Sequence, residues 1–183
     1  MAMRWDRLFD DLEAQAQAGD QADFEAELVD LIRAERSALS LRERLTADAV
    51  QRLRFTLVDG ETLGGVVRDA GADWLLLDSG FGDVLLPVNA IAWIGGLGVG
   101  AVPDAGRVAR TLGLASVLRG LAGDRAGVTI KLRGGLSLTG TIDRVGVDHC
   151  DVAVHPLDEP RRASAVSDVH CVPTAAILRI GVA

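Results

Sequence analysis

The stretch Leu53 to Leu77, LRFTLVDGETLGGVVRDAGADWLLL, occurs twice in this chain of 183 residues, and the duplication limits the fold more than any other feature. Shifted by 75 residues without a gap, it lies on Val128 to Val152, VTIKLRGGLSLTGTIDRVGVDHCDV. Leu53, Phe55, Leu57, Leu63, Val67, Leu75 and Leu77 fall on Val128, Ile130, Leu132, Leu138, Ile142, Cys150 and Val152. Gly60, Gly65, Gly71 and Asp73 fall on Gly135, Gly140, Gly146 and Asp148. Turn and bend positions therefore repeat together with the alternating apolar positions, the mark of a duplicated small β unit.

Ahead of the first unit, Trp5, Leu8, Phe9 and Leu12 are spaced i, i+3, i+4, i+7 among charged residues, which predicts a short amphipathic helix. Gly19 and Asp20 break it, and Asp20 can cap a second helix running through Phe24, Leu28, Leu31, Ile32 and Leu39 to about Leu45. So short a connection makes the two an antiparallel hairpin. Its apolar stripe covers a barrel or its own partner helix, or serves as a docking arm or coiled-coil dimeriser. Strands follow near 53–58, 62–69, 72–78, 83–88 and 90–94, with a hairpin turn at Asp59-Gly60 and a bend at Gly65. Leu97 to Gly106 is a linker, and Arg107 to Leu121 a helix. Its end, from Ser116, aligns with Ser40 to Asp48 at a shift of 76, so the repeated unit is a helix followed by strands. After Val152 the second copy carries about eleven extra residues, in a loop at roughly 153–168, and rejoins where Pro173, Ala176, Ile177 and Ile180 match Pro87, Ala90, Ile91 and Ile94 at a shift of 86.

Charge narrows the function classes. Residues 1–48 hold 12 acids and 6 bases and residues 49–183 hold 14 and 13, so the net −7 resides mostly in the front end, and neither part is strongly basic. The start lacks the apolar core of a signal peptide and there are only two cysteines, which together predict a cytoplasmic protein without a disulfide framework. Val84 to Pro103 carries no charge, but its two prolines and four glycines make it a poor membrane helix.

Val58-Asp59-Gly60, Leu63-x-Gly65-x-Val67, the apolar strand Trp74 to Leu77 and the closing Ala90-Ile91 recur as Arg133-Gly134-Gly135, Leu138-x-Gly140-x-Ile142 and Ala176-Ile177. A helix followed by five short, bent strands with these motifs resembles the Sm-like superfamily, and the local text is closest to its bacterial Hfq branch. The resemblance covers about 100 of the 183 residues. It implies an α+β protein: a helical hairpin (1–48), a first Sm-like five-stranded β-barrel (49–96), a linker (97–106), and a helix with a second barrel (107–183). It further implies ring assembly through strand edges and single-stranded RNA as ligand. Exposed edges invite pairing, so self-association or pairing of the two barrels is expected.

The RNA-binding positions depart from that pattern. Where Hfq has Tyr-Lys-His before the matching Ala-Ile pair, this chain has Pro87-Val88-Asn89 and Pro173-Thr174-Ala175, and near the base-stacking aromatic it has Ala72-Asp73 and Val147-Asp148. Aspartate supplies neither a stacking platform nor a basic track. The candidate nucleic-acid surface is therefore a set of arginines: Arg52, Arg54, Arg68, Arg107, Arg110, Arg119, Arg125, Arg133 and Arg144. The candidate protein-partner surface is Trp5, Leu8, Phe9 and Leu12, or the 153–168 loop.

Candidate chemistry is sparse. His149-Cys150 and His170-Cys171 suggest a metal quartet on adjacent strands, with Cys150 opposite Cys171 and facing inward. Successive strand residues point to opposite faces, so one face offers two sulfurs where zinc wants four ligands, and the thiols read as small hydrophobes. Gly96-Leu97-Gly98-Val99-Gly100-Ala101 fits a dinucleotide pattern, but Pro103 stands where its helix should open. His155, beside Pro156 in the inserted loop, reads as solvated, and no nucleophile pairs with a base. No cofactor or catalytic residue is predicted. The expected function is a non-enzymatic Sm-like scaffold with a regulatory role in nucleic-acid biology, or alternatively a protein-protein adaptor.

Overall fold

In the computed structural model of the chain, the residues described are 40–47, 51–98, 112–157 and 166–182, with Glu27, Arg33 and Gly100. The chain divides into two compact units, Met1–Ser40 and Leu41–Ala183. The first lies almost wholly outside the described residues, and with it Trp5, Leu8, Phe9, Leu12 and the expected hairpin. The second unit is built from helix α1 (Leu41–Ala47), strands β1 (Arg52–Leu57), β2 (Thr62–Ala70), β3 (Trp74–Asp78), β4 (Asp83–Pro87) and β5 (Ile91–Gly95), helix α2 (Leu114–Gly123), and strands β6 (Gly127–Leu132), β7 (Ser137–Val145), β8 (His149–Val154), β9 (Asp168–Pro173) and β10 (Ile177–Val182).

These ten strands form a single open antiparallel sheet in the order β5-β1-β2-β3-β4-β10-β6-β7-β8-β9. The expected architecture, a helical hairpin followed by two closed five-stranded barrels, is therefore corrected: there is one continuous sheet with two helices among the described residues. The physical reason is the edge. A small five-stranded unit leaves strand edges whose N–H and C=O groups need partners, and here β4 of the first half meets them with β10 of the second. Val84 to Gly95, within the uncharged run, forms β4, a 3₁₀ turn and β5, and among the described residues no helix is long and apolar enough to cross a membrane.

Within that sheet the two halves repeat residue by residue. Phe55 pairs with Leu63 and Ile94, and Ile130 with Leu138 and Ile180. The register slips at Arg68 in the first half and at Asp143 in the second, the same point of the repeat, so both long strands carry a bulge that turns them. Glycine permits the close crossing beside it. A Cβ on Gly65 would meet the Asp78 carbonyl oxygen at 3.0 Å, and one on Gly140 would lie 1.9 Å from that of Ala153.

The buried side chains fall into two clusters, each dominated by one half but completed by the other. Leu178 of β10 joins Leu45, Phe55, Leu75 and Leu86, while Trp74 and Leu85 join Leu118, Ile130, Cys150 and Ile177. Burial of such side chains contributes roughly 1.5–3 kcal/mol each. The exchanged residues therefore tie the halves into one folding unit.

Candidate functional site

The best-built polar feature of the sheet is the seam between its halves. Backbone pairing sets Ile180 opposite Leu85 and Gly181 opposite Val84. Beside it, the Asp59-Gly60 turn brings Glu61 against the second half. The Lys131 ammonium donates to Glu61 and lies 2.9 Å from Asp59 Oδ2, and Arg179 Nε donates to Glu61 Oε1 at 3.1 Å. All four are half-buried, which strengthens the attraction relative to water. Hydrogen bonds to Glu61 and Asp59 hold the Lys131 ammonium above its usual range, and the bond from Lys131 holds the Asp59 carboxyl below its own. Arg133 spans the same seam, donating from Nε to the Ala175 carbonyl at 2.9 Å and from an Nη to that of Asn89 at 3.0 Å.

A second tie lies at the β2–β3 turn. The Trp74 indole N–H donates to the Leu112 carbonyl at 2.9 Å, and Asp73 Oδ1 accepts the Leu114 N–H at 2.6 Å. Gly113, at the start of α2, offers no side-chain cap, so a carboxylate from the first half caps the helix that opens the second. Next to this clamp an open cleft of about 350 Å³ is lined by Asp73, Asn89, Leu114, Val147 and Thr174.

The predicted arginines do not converge, and several are occupied. Arg68 is paired with Asp78, Arg52 donates to the Gly64 and Ser79 carbonyls, Arg119 to the Ser116 hydroxyl, and Arg133 to the seam. Arg54 stands exposed on β1, and Arg125 and Arg144 border a polar cleft of about 480 Å³ beside the end of α2. Arg107 and Arg110 lie outside the described residues, as do residues 158–165 of the inserted loop.

The cysteine register also needs correction. Cys150 is opposite Val172, and Cys171 is opposite Asp151. Cys150 is buried, with its thiol pushed up to about 11 chiefly by that burial, whereas Cys171 is exposed. Among the described residues no three His, Cys, Asp or Glu side chains are grouped to hold a metal ion. His155 is buried rather than solvated, its Nδ1 2.8 Å from the Pro156 carbonyl oxygen and its Nε2 3.3 Å from the Thr141 hydroxyl.

Sequence reasoning missed the seam network. Two signals could have found it: Lys131 is the only lysine in the chain, and Glu61 has the apolar Leu136 as its repeat counterpart. A charge that one copy carries and the other lacks marks a place where the copies have different neighbours. No protein-family model matches this sequence, and no curated protein matches it.

Proposed function

We propose that the chain is a non-enzymatic Sm-like binding and assembly scaffold, acting in the cytoplasm, that joins copies of itself through strand edges. The observation that carries this is the seam: β4 and β10 pair, while their repeat counterparts, β9 and β5, terminate the sheet on either side. An edge that has a partner inside the chain is thus presented again, unpaired within the sheet, at each end. Its two free thiols suit a reducing compartment. Native mass measurement of the purified chain tests the assembly: species larger than one chain are expected, and a monomer at all concentrations would refute it.

The nucleic-acid role enters in a narrower form, favoured by Arg125 and Arg144 bordering one cleft. Phosphate contacts by these two predict weak, salt-sensitive binding of single strands. Filter binding with single-stranded RNA and DNA should show affinity falling with salt and lost in R125E/R144E. Binding that is flat at every protein concentration would remove nucleic acid from the reading and leave protein partners.

A further inference from the structure

The open cleft beside the helix clamp has walls that hydrogen bonds hold in place. Arg133 donates to the Asn89 and Ala175 carbonyls, one from each half, and so fixes the spacing of the two 3₁₀ turns that border the cleft without lining it itself. The Thr174 N–H and hydroxyl both donate to the Asp148 carbonyl, at 2.7 and 3.0 Å, and the Val88 N–H donates to that of Asp73 at 2.9 Å. Asp73 is tied in turn to the first turn of α2. Walls that are already ordered reduce the entropy lost when a ligand enters.

The chemistry of those walls is selective in sign. Among the described residues that line the cleft, Asp73 carries the only charge. The positive end of α2 would draw an anion, but Asp73 Oδ1 already accepts the Leu114 N–H there, which leaves Oδ2 to accept from a ligand. Asn89, exposed at the rim, adds an amide oxygen, and the Thr174 hydroxyl keeps its lone pairs because its hydrogen goes to Asp148. Three acceptors, one of them charged, complement a cationic group that only donates, and a guanidinium brings five N–H donors in one plane. Pro87, Leu114 and Val147 give the aliphatic contact that an arginine stem covers. A volume of about 350 Å³ lies at the low end of the roughly 300–1,000 Å³ of ligand sites, room for one long side chain. Val147, at the lip, is 95% exposed, so apolar surface remains for the residues on either side of that arginine to cover.

We infer that this cleft seats an arginine side chain of a protein partner, with the guanidinium on Asp73 Oδ2, Asn89 and Thr174 and the stem along Leu114 and Val147. Arginines anchored in pockets are frequent among the residues that dominate interface energies. This goes beyond the scaffold reading. The cleft shares no lining residue with that of Arg125 and Arg144, so the two are tested separately.

The test is a titration of the isotope-labelled full chain with a blocked glycine-arginine-glycine peptide, and with the same peptide carrying citrulline, the uncharged isostere of arginine, followed through backbone amide shifts. The arginine peptide is expected to shift the amides of Asp73, Leu114 and Thr174 and to saturate in the millimolar range, with the citrulline peptide roughly tenfold weaker. D73N keeps an oxygen to cap α2 while removing the charge. It should lose the same factor of roughly ten with its thermal midpoint little changed, and the citrulline comparison on the wild type decides the matter should that variant fold poorly. An arginine peptide that moves none of these amides, or that binds no better than its citrulline form, would overturn the site, as would equal binding by a folded D73N. Uridine monophosphate shifting the same amides more strongly than the arginine peptide would also overturn it, by marking the cleft as one for nucleotides.

Discussion

At the scale of single residues, glycine decides where the sheet can turn. Gly140 is the sharpest case, since any Cβ there would overlap the Ala153 carbonyl oxygen and approach the His155 nitrogen at 3.1 Å. Gly140→Ala should therefore cost about 3 kcal/mol or more, read as a fall in the urea midpoint. Arg125 shows the opposite situation. It ends α2 with φ 51°, in the left-handed region, while the next N–H, of Ala126, bonds back to the Leu121 carbonyl at 3.0 Å. Glycine suits that position, so Arg125→Gly should stabilise the fold by about 0.5–1 kcal/mol. The bend glycines were legible because they repeat. The cysteine register was not, because it depends on a turn in which Gly80 N–H bonds to Asp78 Oδ1 and Ser79 N–H to the Gly82 carbonyl. Those bonds put Asp78 opposite Asp83, and Leu75 opposite Leu86 rather than Leu85; the second half follows suit.

At the scale of elements, the strands were readable from alternation, and their bounds moved little. The start of α2 was not, because the carboxylate that caps it comes from 41 residues earlier in the chain. Local sequence offered Gly113, a residue with no capping atom. Asp73→Ala should cost about 1 kcal/mol, and Trp74→Phe, which keeps the ring but loses the bond to Leu112, a similar amount. Leu85 tests how far the halves depend on each other. It belongs to β4 yet packs in the cluster of the second half, so Leu85→Ala should cost about 2–5 kcal/mol in a single cooperative transition rather than loosening one half alone. Two separate transitions in denaturant would contradict that.

At the scale of the whole molecule, duplication was visible but its consequence was not. A repeat specifies how each half pairs internally, and both halves obey it; whether their edges then close or join is left to contacts that the repeat does not encode. The Asp59–Glu61–Lys131–Arg179 network supplies part of that choice, and it gives the seam a pH signature. Asp59 is depressed below its usual 3.8 in the fold, so its contribution is complete above that value and lost as pH falls through the lower folded value. Lys131 is raised above 10.5, so its contribution is complete below that value and lost as pH rises through the higher folded one. Thermal midpoints should therefore decline at both extremes, and Lys131→Met should flatten the alkaline limb and blunt the acid one. Lys131 is also the chain's sole lysine, and its ammonium is held in that network. An endoprotease that cuts only after lysine consequently has one peptide bond available, and its rate of cleavage becomes a clock for how often the two halves part.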